Sequence, residues 1–169
     1  MSSQVINPYM VTSATVSTLL WQSISVGESE CQWTGGVTIS GELFQAGHTL
    51  IDKTPTKIII NLRKTTTEGT PSGNAELKLI DSSNVEKATF GTIDVTTITT
   101  SFVSYEFTNE DNISVIADGD RIAFFYNGDK YVCIEVCASC SESYTNFSYF
   151  VPSSWTNRTT VATMQVWGF

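Results

Sequence analysis

Thr56-Lys-Ile-Ile-Ile-Asn-Leu-Arg-Lys64 decides the fold class. In an extended chain Ile58, Ile60 and Leu62 fall on one side and Ile59, Asn61 and Arg63 on the other, the period of two of a half-buried strand. Glu68-Gly-Thr-Pro-Ser-Gly73 follows as a Gly/Pro turn, and beyond it Ala75, Leu77 and Leu79 alternate with Glu76 and Lys78. The two segments read as a hairpin. Working outward, Asp81-Ser-Ser-Asn84 turns the chain into a strand from Val85 to Phe90, and Val103, Tyr105 and Phe107 share a face within Phe102 to Thr108. Asp118-Gly-Asp120 opens Arg121 to Tyr126, Asn127-Gly-Asp is a hairpin signal of the positive-φ kind, and Tyr131 to Val136 returns. Thr160 to Trp167, rich in Val and Thr, reads as a closing strand. Met10 to Val26 fits strand alternation at Leu20, Ile24 and Val26 and a helical stripe at Met10, Ala14, Ser17 and Trp21; its β-branched composition decides for strand.

The chain has 169 residues, 41% hydrophobic and 15% charged, with 9 Lys+Arg against 17 Asp+Glu and a net charge of −8. At this length roughly 70% of the unfolded surface is buried, which supports one core. A charged fraction this low, with Ser and Thr near a quarter of the residues, argues against disorder, coiled coil and helix bundle. The acidic balance argues against nucleic acid and anionic membrane partners, since phosphate binding needs clustered cations, and Lys53, Lys57, Arg63 and Lys64 read as a solvated strand face. No stretch approaches the roughly 20 apolar residues of a membrane span, so membrane insertion is not expected. Many short strands separated by turns predict an all-β, antiparallel two-sheet β-sandwich of jelly-roll topology. Residues 1–9, ending at Asn7-Pro8, read as an extended arm and residues 10–169 as one domain. Met1-Ser-Ser-Gln lacks the basic and apolar regions of a signal peptide, which fits a removed signal or a protein used without export, as in a virion.

Four cysteines, Cys31, Cys133, Cys137 and Cys140, allow two disulfides in three pairings, free thiols, or a tetrahedral zinc site. Cys133, Cys137 and Cys140 also have the C-x3-C-x2-C spacing of an iron–sulfur site, but that motif belongs on a βα loop and here begins in a strand. Disulfides are the expectation; zinc, with half its usual knuckles, is disfavoured. Catalytic groups are scarce. His48, beside Gly47, reads as a solvated loop residue, and no nucleophile elbow, zinc helix or phosphate loop occurs. Glu42, Glu106 and Glu135 are the acids that a β-sandwich glycosidase would need, without a compact cluster to mark a pair. The expectation is a protein that is not an enzyme. Asp118 and Asp120, with Asp94 or Asp111, could ligate calcium, although Asp in such turns more often bonds its own backbone.

Aromatics supply the functional handle. Trp33, Tyr144, Phe147, Tyr149, Phe150 and Trp155 lie in polar, turn-like segments, where an exposed ring can stack on a sugar or anchor a partner; Trp21 and Trp167, inside strands, read as core. Asn112-Ile-Ser, Asn146-Phe-Ser and Asn157-Arg-Thr are glycosylation acceptors.

Thr38 to Val136, more than half the chain, resembles the jelly-roll modules, similar to carbohydrate-binding and galactose-binding-like domains, that recur in surface proteins of archaea and in virion proteins. The likeness rests on Thr56 to Lys64, Gly69-Thr-Pro-Ser-Gly73, Phe90-Gly-Thr-Ile-Asp94, Ser104-Tyr-Glu-Phe-Thr108 and Gly119-Asp-Arg-Ile122. It implies a fold and a setting on a virion or cell surface. The expected function is a structural or adhesion subunit whose partners are other copies or a capsid or filament lattice, joined through sheet edges and the arm. The alternatives are a carbohydrate-binding module for surface glycans, using the exposed aromatics, and a β-sandwich glycosidase.

Overall fold

A computed structural model describes residues 16–23, 28–32, 38–67, 69–109, 114–137, 140, 144–151 and 153–169, with backbone alone for 28–32 and 151. The expected arm at 1–9 lies outside them. Thirteen strands are described: β1 (Thr18–Gln22), β2 (Glu28–Gln32), β3 (Ile39–Phe44), β4 (Pro55–Lys64), β5 (Asn74–Ile80), β6 (Glu86–Asp94), β7 (Val103–Thr108), β8 (Arg121–Tyr126), β9 (Val132–Cys137), β10 (Thr145–Val151), β11 (Ser154–Asn157), β12 (Val161–Ala162) and β13 (Met164–Gly168). A 3-10 turn at Val95–Thr97 is capped by Asp94, whose Oδ1 accepts the Thr96 N–H at 2.9 Å.

The pairing is nested. β1 pairs with β13, β3 with β8, β4 with β7 and β5 with β6, all antiparallel. Rolled up, this long hairpin gives β1-β13-β4-β7 in one sheet (sheet A) and β3-β8-β5-β6 in the other (sheet B), the jelly roll that the sequence predicts. Between β8 and β13 the chain makes an excursion: β9 runs beside β4 and β12 and carries β2 on its far edge, while β10 and β11 extend sheet B beyond β3.

The alternation of β4 holds: Ile58, Ile60 and Leu62 are buried and face Leu77, Leu79, Phe90 and Phe124 across the sandwich, with Lys57, Ile59, Asn61 and Arg63 half-buried outside. Two expected hairpins do not form. β4 and β5 lie in different sheets and do not pair; an alternating strand looks the same whether its partner is beside it or opposite it. β8 and β9 are likewise in different sheets. Gly128 does not adopt positive φ there; it is needed because a Cβ would overlap the Tyr126 ring. Trp21 is core, edge-on to Phe44, but Trp167 sits half-buried on the outer face of sheet A beneath the Lys57 ammonium, 4.6 Å from the ring centre.

Candidate functional site

The polar segment from Tyr144 to Trp155 forms strands, not loops. β10 pairs with β11 through Ser148↔Asn157 and Phe150↔Trp155, and with β3 through Phe147↔Glu42 and Phe150↔Ile39. Strand alternation then separates the predicted aromatics. Phe147 is wholly buried in the core and is not a surface ring. Tyr149, on the same side, is half-buried with the Arg158 guanidinium 4.8 Å from its ring centre. Tyr144 is 55% exposed and lies over Gly47 from a backbone at φ 68°. Trp33 lies outside the described residues.

Trp155 and Phe150 point outward, and the register continues them. Trp155, Phe150, Ile39, Phe125, Glu76 and Thr92 are successive cross-strand partners over all six strands of sheet B. With strands about 4.8 Å apart, this row runs roughly 24 Å. Its members from Trp155 to Glu76 are half-buried. Part of it floors an open groove of about 690 Å³ lined by Thr38, Ile39, Asn74, Glu76, Phe125 and Asn127, among others. The neighbouring row holds small residues at its centre, Ser148, Gly41 and Ala123. Gly41 is required by close approach, since a Cβ there would collide with the backbone of Ile122 and Ala123.

Two cations line this face. Lys78 lies 5.3 Å from the Phe125 ring centre and is bracketed by Glu76 at 2.9 Å and Glu86 at 3.1 Å; those carboxylates hold its pKa above the usual lysine value. The Arg121 guanidinium lies 4.3 Å from the Trp155 ring centre, donates to Ser148 Oγ at 3.2 Å and, more weakly, to the Gly119 carbonyl at 3.4 Å. Trp155 Nε1 in turn donates to Asn84 Oδ1 at 2.6 Å.

The remaining candidates fall elsewhere. Glu42 is fully buried between the sheets, where Oε1 accepts from Thr145 Oγ1 at 2.5 Å and Oε2 from the Ala162 N–H at 2.8 Å. Glu106 and Glu135 lie on the outer face of sheet A, so Glu42 cannot flank a bond together with either. Glu106 meets Lys57 at 3.5 Å. Glu135 Oε2 accepts from Asn61 Nδ2 at 2.7 Å, and Asn61 Oδ1 accepts from Ser104 at 2.7 Å, beside a polar cavity of about 410 Å³ where β9 diverges from β4. His48 is buried, not solvated: it packs against Trp21 and Phe44, and its Nδ1 accepts the Leu50 N–H at 3.1 Å. Burial pushes its pKa down to about 4.

Cys137 and Cys140 form a disulfide, with Cα atoms 5.4 Å apart. Cys133 is also disulfide-bonded, and its Cα partner across the β2–β9 ladder is Cys31. All three cysteines of the C-x3-C-x2-C run are thus engaged in disulfides. Asp120 is buried, with Oδ2 taking Lys87 Nζ at 2.5 Å and the Ala117 N–H at 2.8 Å; Asp118 Oδ1 takes the Ala46 N–H at 2.8 Å, and Asp94 caps its turn. Among the described residues no group of three or more His, Cys, Asp or Glu converges. Asp111 and Asn112 lie outside the described residues; Asn146 bonds to Gln45 at 3.3 Å and Asn157 is exposed at the end of β11.

Sequence reasoning missed Ile39, Phe125 and Arg121 as members of this face. The alternation of Arg121, Ala123 and Phe125 against Ile122, Phe124 and Tyr126 carries the signal for two of them; Ile39 is visible only once the register is known.

No family model, curated protein or solved structure matches the chain.

Proposed function

We propose that this protein is a non-enzymatic adhesion module, carried on a virion or cell surface, that binds glycan chains along the outer face of sheet B. The observation that carries this reading is the straight row from Trp155 through Phe150, Ile39 and Phe125 to Glu76 and Thr92. Sugar rings offer C–H faces to aromatic planes and hydroxyls to amides and carboxylates, and the row presents apolar groups first and polar groups after them. Its length suits several sugar units rather than one. Glycan-array binding that falls at least about tenfold in Trp155→Ala supports the reading. A blank array, or equal binding by the variant, rejects it.

A second reading makes the chain a structural subunit that assembles with copies of itself. It is favoured by β7, which among the described residues pairs only with β4, and whose Val103 is 41% exposed at an open sheet edge. A large regular particle by light scattering supports that reading, and an 18.5 kDa monomer at high concentration rejects it.

A further inference from the structure

The two cations of the sheet B face differ in one respect. Lys78 lies between two carboxylates; Arg121, only 8% exposed, has no acidic group within ion-pair distance among the described residues. A buried charge without a counter-charge is costly, and arginine reduces that cost by stacking and by neutral hydrogen bonds without removing it. Burial lowers the Arg121 pKa, with no carboxylate to oppose the shift. Of its five N–H donors, two are engaged, by Ser148 and Gly119. Among the described residues Nη2 donates to no acceptor.

The geometry points to a ligand that brings the missing charge: we infer that Arg121 receives the carboxylate of an acidic sugar whose ring lies against Trp155 and Phe150. This rests on the glycan reading above and adds the chemical class. A guanidinium matches a carboxylate through two parallel N–H···O bonds, and both bonds strengthen where water is excluded. Ser148 and the Trp155–Asn84 hydrogen bond hold the guanidinium and the indole in place before a ligand arrives. The net charge of −8 limits the kind of acid. A densely charged polyanion is repelled at long range, whereas one carboxylate on an otherwise neutral chain is not. Uronates and sialates share the required group.

The test is titration of the full chain, followed by tryptophan fluorescence, with glucuronosyl-xylotriose and sialyllactose, each bearing a single carboxylate, and with xylotriose and lactose as their neutral counterparts. At least one acidic probe is expected to bind about tenfold or more tightly than its neutral counterpart, with that preference lost in Arg121→Gln. Which acid binds identifies the source of the carboxylate. Since Arg121→Gln could unfold, the wild type supplies a second measure: raising NaCl from about 50 to about 500 mM should weaken acidic binding and leave neutral binding unchanged. Equal binding of acidic and neutral probes overturns the acidic preference and leaves the glycan reading standing. Neutral binding alone does the same. No binding to these probes together with a blank array overturns both.

Discussion

The eight nested strands and the excursion between β8 and β13 are held together by different chemistry. In the nested frame, Ile58, Ile60, Leu62, Leu77, Leu79, Phe90 and Phe124 fill the space between sheets with no polar atom among their side chains. The excursion adds Val132, Ile134, Val136, Phe147, Val161 and Ala162 to that core and is fastened, in addition, by polar and covalent ties. Glu42 joins β3 to β10 and β12, Ser148 joins β10 to Arg121 and to the Gly41 carbonyl, Ser23 donates to the Ala162 carbonyl, and Cys137–Cys140 closes the end of β9. Apolar burial is non-directional and tolerates small shifts, whereas a buried carboxylate is stable only with its donors in place. The frame therefore supplies most of the apolar burial, and the polar ties of the excursion fix Trp155, Phe150 and the Arg121 guanidinium on the outer face.

Four experiments test that division. The largest effect is expected in the frame: Leu77→Ala should cost about 3 kcal/mol in urea unfolding, with hydrogen exchange accelerated throughout both sheets. Glu42→Ala should cost about 2 to 3 kcal/mol by leaving the Ala162 N–H unsatisfied, and exchange should rise first in β10 and β12. Uniform acceleration in that variant would break the distinction. Replacing Cys137 and Cys140 with serine should cost about 2 kcal/mol, the loop-closure value for so short a ring, without altering β5 or β6. The smallest effect is set by pH. His48 is neutral when folded, with a pKa of about 4 against 6.5 unfolded, so its contribution is present above pH 6.5 and is lost as pH falls towards 4. At pH 5.5 the chain should be about 1 kcal/mol less stable than at pH 8, and His48→Gln should lose that dependence. An unchanged slope would mean that His48 is solvated.

The same division explains what could be read from the sequence. β4, β5, β6, β7 and β8 were legible within a residue or a few: β4, β5, β6 and β7 alternate apolar and polar residues, and β8 is a short apolar run opened by the turn at Asp118–Asp120. Partners were not legible: β4 and β5 both alternate, and nothing local says that they face each other instead of pairing. In β10 the polar sequence Thr145-Asn-Phe-Ser-Tyr149 reads as loop because Thr145 and Ser148, both buried, owe their burial to Glu42 and Arg121, residues distant in the chain. The binding face shares that difficulty. Trp155 was visible as an aromatic in a polar segment, but the row it begins is a property of register and therefore of the assembled sheet.

Nested pairing also orders the birth of the molecule. Thr18 pairs with Gly168, 168 − 18 = 150 positions later, and β13 lies between β1 and β4 in the centre of sheet A. At ribosomal speeds of roughly 5 to 20 residues per second, β1 waits about 8 to 30 s after its own synthesis for its partner. The hairpin β5–β6 can close almost at once. During the interval β1 offers Leu19 and an unpaired edge to its surroundings, so a chaperone that covers this strand until β13 emerges should raise the yield of native protein.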